Sequence, residues 1–283
     1  MKRTLQLAGS RTISGNLPAL IMGILNVTPD SFWEQSRAFS VDAALDRALL
    51  LEDEGADILD IGGESTRPGS EYVDEAEEKN RILPVITAIR QKSDIPISID
   101  TRKSGVMRAA FNAGADICND ISALEDDHEM APFVAEAGIP VILMHKQGVP
   151  ASMQKHPVYS DPVQEVKEYL LARARFAENA GIGHDKIILD PGIGFGKRYE
   201  DNCALINGLR VLTETGYPVL MALSRKSCIG RMTGRTTDDR LAGTLAANLI
   251  AVQKGAAILR VHDVAQTHDI LSVLQEITTG GIH

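Results

Sequence analysis

The chain has little cysteine. Its three, Cys118, Cys203 and Cys228, show neither metal-ligand spacing nor a paired framework. That argues against a disulfide-stapled scaffold and a cysteine-built metal site, and it makes a reducing cytoplasm the expected compartment. Basic charge is also short: 29 Lys and Arg stand against 38 Asp and Glu, a net charge of −9. Bulk nucleic-acid binding wants a basic face and is not expected. An anionic substrate remains open, because a local cluster of Arg and Lys can outvote the global sign. No uninterrupted apolar run approaches the ~20 residues of a membrane span. The opening stretch MKRTLQLAGSRTISG lacks an apolar core long enough for a signal peptide, so no membrane partner is expected. No linker, low-complexity tract or shift of composition divides the chain, and residues 1–283 read as a single domain. There is one tryptophan, Trp33.

What is present is a repeated pattern. Eight apolar, strand-like segments each end in a polar or charged residue: ALIMGILN (19–26), DILDIGG (57–63), IPISID (95–100), DICND (116–120), PVILMH (140–145), KIILD (186–190), PVLMALS (218–224) and AILRVH (257–262). A strand buried on both faces should be apolar throughout. Polar tips need another explanation, and in parallel α/β folds the C-terminal tips surround the ligand. Between the strands lie helical patterns at 40–55, 74–91, 103–114, 128–138, 161–181, 200–216, 237–255 and 264–277, most of them closed by glycine. The phrases EGADI, AGADI, EAGIP and KGAAI introduce four strands and read as one short αβ turn used repeatedly. Strand spacing is too uneven for a solenoid repeat. Strict β-α alternation predicts a (β/α)8 barrel, with the first ~18 residues as a possible hairpin plugging its bottom. An open doubly wound sheet is the weaker alternative, since no Gly-rich dinucleotide turn follows the first strand.

The motifs sit at the strand tips: NVTPDSF from Asn26, GGESTRPG from Gly62, Asp100-Thr101, Asn119-Asp120-Ile121, Met144-His145, DPGIGFGK from Asp190, Ser224-Arg225-Lys226-Ser227 and Arg260-Val261-His262-Asp263. Together, and in this order, they closely resemble the dihydropteroate synthases, over residues from about 20 to 265. Any one motif would be weak evidence; eight in register are strong. The resemblance implies a (β/α)8 transferase of folate synthesis. Such an enzyme joins a dihydropterin pyrophosphate to p-aminobenzoate, forms 7,8-dihydropteroate and releases pyrophosphate.

The resemblance also implies roles. Asp190 looks like the carboxylate that accepts two parallel pterin N–H groups, in the fork geometry that also pairs carboxylates with guanidinium. Asn119 suits a mixed donor and acceptor edge, and Asp100 is similar to a third pterin contact. One buried Asp alone would read as a strand-end cap; three polar groups converging from three strands favour a site. Lys226 is implied to touch the pterin beside the aminobenzoate. Ser227 would open a helix whose N-terminus suits that substrate's carboxylate. Ile121 completes the implied pterin set; Phe195, Pro68 and Met144 look like apolar walls, and Thr66 like a contact to the second substrate. Asn26, Arg67, Arg260 and His262 are implied to cradle pyrophosphate, Asn26 also touching the Mg²⁺ that accompanies it. The bland reading of His262 is a structural residue bonded to Asp263 or backbone. By the same resemblance Asp100, Lys226, Arg260 and His262 carry the chemistry, the partners are the two small substrates, and the chain forms a homodimer through its outer helices. The apolar helix at 237–254 is the candidate face.

One loop departs from the family pattern. After DSF the family has a small residue, Asp and two glycines; here the chain reads Trp33-Glu34-Gln35-Ser36. Lys146 reads as facing solvent. Two rivals stay open: a pterin-binding methyltransferase barrel, and a paralogue that binds pterin but turns over poorly.

Overall fold

A computed structural model describes residues 3–9, 11–27, 37–64, 73–148, 153 and 157–280. The expected contacts Thr66, Arg67 and Pro68, and the altered segment Trp33-Glu34-Gln35, lie outside the described residues.

Two short strands, β1 (Arg3–Gln6) and β2 (Thr12–Gly15), pair antiparallel as the expected hairpin. Then β and α alternate: β3 (Leu20–Asn26), α1 (Arg37–Asp53), β4 (Ile58–Gly62), α2 (Glu75–Arg90), β5 (Ile97–Asp100), α3 (Ser104–Asn112), β6 (Ile117–Asp120), α4 (Met130–Ala137), β7 (Val141–Met144), α5 (Pro162–Asn179), β8 (Ile187–Asp190), α6 (Tyr199–Asn207), α7 (Arg210–Thr213), β9 (Leu220–Met221), α8 (Ser227–Thr233), α9 (Leu241–Gln253), β10 (Ile258–Val261) and α10 (Val264–Thr279). Eight strands lie in the order β8-β7-β6-β5-β4-β3-β10-β9, every pair parallel. A parallel bridge from Leu189 to Val219 sets β8 beside β9 and completes the ring. This is the (β/α)8 barrel expected from the alternation.

Strand parity divides the core in two. One set of alternate residues, including Ile21, Leu59, Ile99, Leu143 and Leu259, packs outward against the helices. The other set, Leu20, Met22, Ile58, Ile117, Ile142, Ile188, Leu220 and Ile258, fills the bottom of the barrel together with Leu5, Leu7 and Ile13 of the hairpin. The hairpin therefore plugs the barrel floor, and Lys186 donates to the Leu7 carbonyl across that junction. Asp116, at the start of β6, holds the same end. It accepts from Arg90 Nη2 at 2.7 Å, Arg11 Nη1 at 2.5 Å and the Ile97 amide at 2.9 Å.

Local signals set the helix ends. Asp74 and Asp161 cap α2 and α5 through their side chains. Gly55, Gly114, Gly138 and Gly255 end helices at positive φ, the conformation the repeated pre-strand phrase requires. The pattern at 200–216 is two helices, divided at Gly208, where a Cβ would come within 2.9 Å of Val163.

Candidate active site at the barrel mouth

Moving up each strand by two residues takes the interior from hydrocarbon to charge. Above Ile58 comes Asp60, above Ile117 Asn119, above Ile188 Asp190 and above Ile258 Arg260; Ser98 and Asp100 stand on β5. Asn26, Gly62, Asp100 and Asn119 are consecutive partners across β3, β4, β5 and β6. Gly62 leaves this row open: a Cβ there would sit 3.6 Å from Asp100 Cβ and 3.9 Å from Asn26 Oδ1. Asn26 is half-buried at its end of the row.

Arg260 is the hub. Its Nε donates to Asp60 Oδ2 at 2.5 Å and its Nη2 to Asp100 Oδ2 at 2.9 Å. Burial opposes its charge, but Asp60 and Asp100 more than offset this and raise its pKa further. Asn119 Nδ2 lies 3.2 Å from both oxygens of Asp60. Asp100 is pushed up to about 7, first by burial and then by the charges of Asp60, Glu78 and Glu64, with Arg260 pulling the other way. Its Oδ1 is buried without a hydrogen-bond partner among the described residues.

Asp190 faces this cluster from β8. It is buried and accepts from the Gly192 amide at 2.7 Å. Burial raises its pKa, while that amide, Lys226, Lys197 and Arg260 lower it in part. Met144, its register partner on β7, is buried, as is Ile121 beyond β6. Lys226 is half-buried, its Nζ 4.5 Å from the centre of the Phe195 ring. Burial pushes it down to about 8 against the pull of Asp190. Ser227 begins α8 and is exposed.

The loop that aims Lys226 is locked from behind. Arg225 holds a positive φ of 55° and forks onto Asp263, Nε to Oδ2 at 3.1 Å and Nη2 to Oδ1 at 2.6 Å. Its amide donates to Thr244 Oγ1, and its carbonyl accepts from Arg240. His262 is half-buried, with Nδ1 3.0 Å from Ser224 Oγ. Its hydroxyl neighbour is thus Ser224, whereas Asp263 is taken by Arg225. Lys146 does not face solvent: its side chain is 9% exposed and donates to Asp126 Oδ2 at 3.0 Å, because the turn after β6 brings that carboxylate alongside.

Two features carried no role in the sequence reading. Asp60 is fully buried in mid-strand; its signal was a charge at the inward phase of DILDIGG, two residues above Ile58. Lys197, closing GFGK, is buried and donates to the carbonyls of His145, Gly192 and Phe195 at 3.2, 2.9 and 3.1 Å, with His145 Nδ1 at 2.9 Å. It fastens the loops after β7 and β8 together beside Phe195. Burial and then Lys197 push His145 down to about 3, so the imidazole is neutral. Among the described residues no cluster of His, Cys, Asp and Glu could hold a metal by itself, and no helix is long and apolar enough to cross a membrane.

Comparison with known proteins places this geometry. A family model described as a pterin binding enzyme matches residues 22–262. The dihydropteroate synthase of Haemophilus influenzae is 48% identical over 255 residues, covering 90% of this chain and 92% of that one. The solved Xanthomonas albilineans dihydropteroate synthase with 4-aminobenzoic acid superposes with a TM-score of 0.90 at 44% identity, over 98% of this chain and 99% of that one. The same enzyme in complex with 7,8-dihydropteroate gives 0.85 at 42% identity, over 96% and 99%.

Proposed function

The chain belongs to the dihydropteroate synthase family of pterin-binding enzymes, and from that premise we propose how its barrel mouth performs the condensation. The enzyme joins a dihydropterin pyrophosphate to p-aminobenzoate and releases pyrophosphate and 7,8-dihydropteroate. The observation that carries the residue assignment is the Arg260 hub: it gathers Asp60 and Asp100 into one polar interior that Asn119, Asp190 and Lys226 also enter. Packed hydrocarbon fills only the barrel floor below them.

The pterin ring stands upright in this interior. Asp190 accepts two parallel ring donors, Asn119 meets the adjoining edge, and Asp100 uses its unpartnered oxygen. Ile121 and Met144 supply apolar contact, and Lys226 donates to the ring from above. The aminobenzoate lies outward of the pterin, against the Phe195–Lys226 pair, with its carboxylate toward Ser227; the family resemblance assigns Thr66 and Pro68 to the same substrate. Asn26, Arg67, Arg260 and His262 contribute positive or donor character toward the leaving pyrophosphate.

The substitution is dissociative. The bond from the pterin methylene to oxygen breaks and its electron pair leaves with pyrophosphate. The resulting cation is delocalised into the ring, beside the carboxylates of Asp100 and Asp190. The arylamine lone pair then forms the C–N bond, and its proton passes to solvent. An arylamine is neutral near pH 7, so positioning, rather than a strong base, is the main demand. Release of pyrophosphate before the arylamine arrives is the expected pre-steady-state result; strict dependence of release on the arylamine refutes the dissociative order.

Mg²⁺ fits as a companion of the substrate. Asn26 offers one neutral oxygen, a donor suited to a hard cation that keeps waters and phosphate oxygens as its other ligands. Bound there, it supplies charge neutralisation at the pyrophosphate.

The homodimer rests on exposed apolar side chains of the last helices: Ile250 on α9, and Val273 and Ile277 on α10, are 44, 58 and 75% exposed. Loss of the dimer in Ile250→Glu/Val273→Glu, measured by light scattering, checks it; a wild-type monomer refutes it.

The deciding experiment incubates the purified chain with dihydropterin pyrophosphate, p-aminobenzoate and Mg²⁺. Dihydropteroate and pyrophosphate in equal amounts are expected. Tight pterin binding without product, or methyl transfer to a corrinoid, would overturn the reading.

A further inference from the structure

We propose that Asp60 is a positioning residue for the pterin: it divides the Arg260 guanidinium between two carboxylates, so that Asp100 keeps one oxygen free for the ring and Asn119 is held in one orientation. The inference rests on the functional reading above and deepens it.

Asp60 has no exposed surface. Removing a carboxylate from water is costly even after relaxation, and the barrel needs no charge at mid-height to close. The strands it links are not neighbours. Arg260 stands on β10 and Asn119 on β6, each two strands from β4 around the ring. Asp60 reaches both across the interior.

The way Arg260 is held is the telling feature. A guanidinium edge carries two parallel N–H groups that match one carboxylate in a fork, the preferred arrangement. Here the fork is split: Nε goes to Asp60, Nη2 to Asp100. Among the described residues Asp100 therefore receives a single side-chain donor, and its Oδ1, buried in the site, receives none. Glu78 and Glu64, the other carboxylates acting on Asp100, are occupied by Lys103. Without the charge on Asp60, the fork closes onto Asp100 and takes the oxygen the ring needs. In the same step Asn119 Nδ2 exchanges a carboxylate that offers both oxygens for a single neutral oxygen, so its amide is held less firmly.

The test is Asp60→Asn, which keeps the shape and removes the charge. KM for dihydropterin pyrophosphate should rise about tenfold or more, the scale of one lost charge-assisted hydrogen bond. KM for p-aminobenzoate should stay within about twofold, which separates repositioning from general damage. The acid limb of the pH profile should move to lower pH, because a neighbouring negative charge has gone. A double-mutant cycle reads the route: if Asp60 acts through Asp100, the pair Asp60→Asn/Asp100→Asn is no worse than Asp100→Asn alone. Additive losses, or a variant that is merely less stable with unchanged KM and pH profile, overturn the proposal. If Asp60→Asn does not fold, a crystal structure of the wild-type protein with 6-hydroxymethylpterin decides. A ring N–H on Asp100 Oδ1 with Arg260 Nε still on Asp60 supports the split fork; Arg260 forked onto Asp100 alone sinks it. Wild-type protein without turnover would refute the functional reading itself, a result distinct from any of these.

Discussion

Acid should inactivate this enzyme far earlier than it inactivates an ordinary carboxylate site. Asp100 has to be ionised to accept a ring N–H and to stabilise a cation, yet burial and the charges of Asp60, Glu78 and Glu64 push it up to about 7. An unperturbed Asp titrates near ~3.9 and would leave activity flat down to about pH 5. With a group near 7, kcat/KM for dihydropterin pyrophosphate falls about tenfold per pH unit below that value, and about thirtyfold by roughly pH 5.5. Lys226, pushed down to about 8, sets the alkaline side, since its donor is lost as it deprotonates. The expected profile is a narrow bell centred between about 7 and 8. It is measured as initial rates at substrate well below KM, with inorganic pyrophosphate release as the readout. Linkage adds a second measurement. A folded-state pKa above the unfolded value means that the native state binds more protons between about 4 and 7, so this group costs stability as pH rises through that window. The ionised form is strained, and Asp100→Asn should unfold at an equal or higher urea concentration than wild type at about pH 8 while losing activity. Flat kcat/KM from about pH 5 to 7, or an Asp100→Asn barrel clearly weaker than wild type at alkaline pH, would refute the reasoning.

Three further outcomes follow from other parts of the barrel. Asp116→Asn removes the buried partner of Arg90 and Arg11 at the floor; stability should fall by about 2–4 kcal/mol with KM for both substrates unchanged, and a loss under about 0.5 kcal/mol in urea titration contradicts the role. Gly192→Ala forces a residue at φ +65° and a Cβ 1.9 Å from the His145 carbonyl; it should cost about 2 kcal/mol or more and raise KM for the pterin substrate, because Asp190 caps that amide. Asp263→Asn loosens Arg225 and hence the aim of Lys226; kcat/KM should drop about tenfold with little change in melting temperature, on the scale of a misplaced donor, and an unchanged kcat/KM argues against the lock.

How much was legible differs from residue to residue. Asp100, Asn119 and Asp190 stand out in the sequence because each is polar at the end of an apolar run, where burial on both faces has no use for it; Lys226, two residues past such an end, was singled out only by the family resemblance. The glycine turns were found because positive φ restricts composition so strongly. Lys146 was misread, since a charged residue in a loop looks solvated until its partner, Asp126, twenty positions earlier, is known. Asp60 was overlooked because it sits inside the run, where a single charge reads as an irregularity.

By itself the sequence determined the eightfold alternation and the row of polar residues at the C-terminal strand ends, since parity and strand-end polarity are local properties of the chain. Only the tertiary structure decided which oxygen of Asp100 is free, how Arg260 is shared, and that Ser224 meets His262. Those choices depend on distances between strands far apart in sequence, and a hydrogen bond is settled by angstroms that no residue pattern encodes.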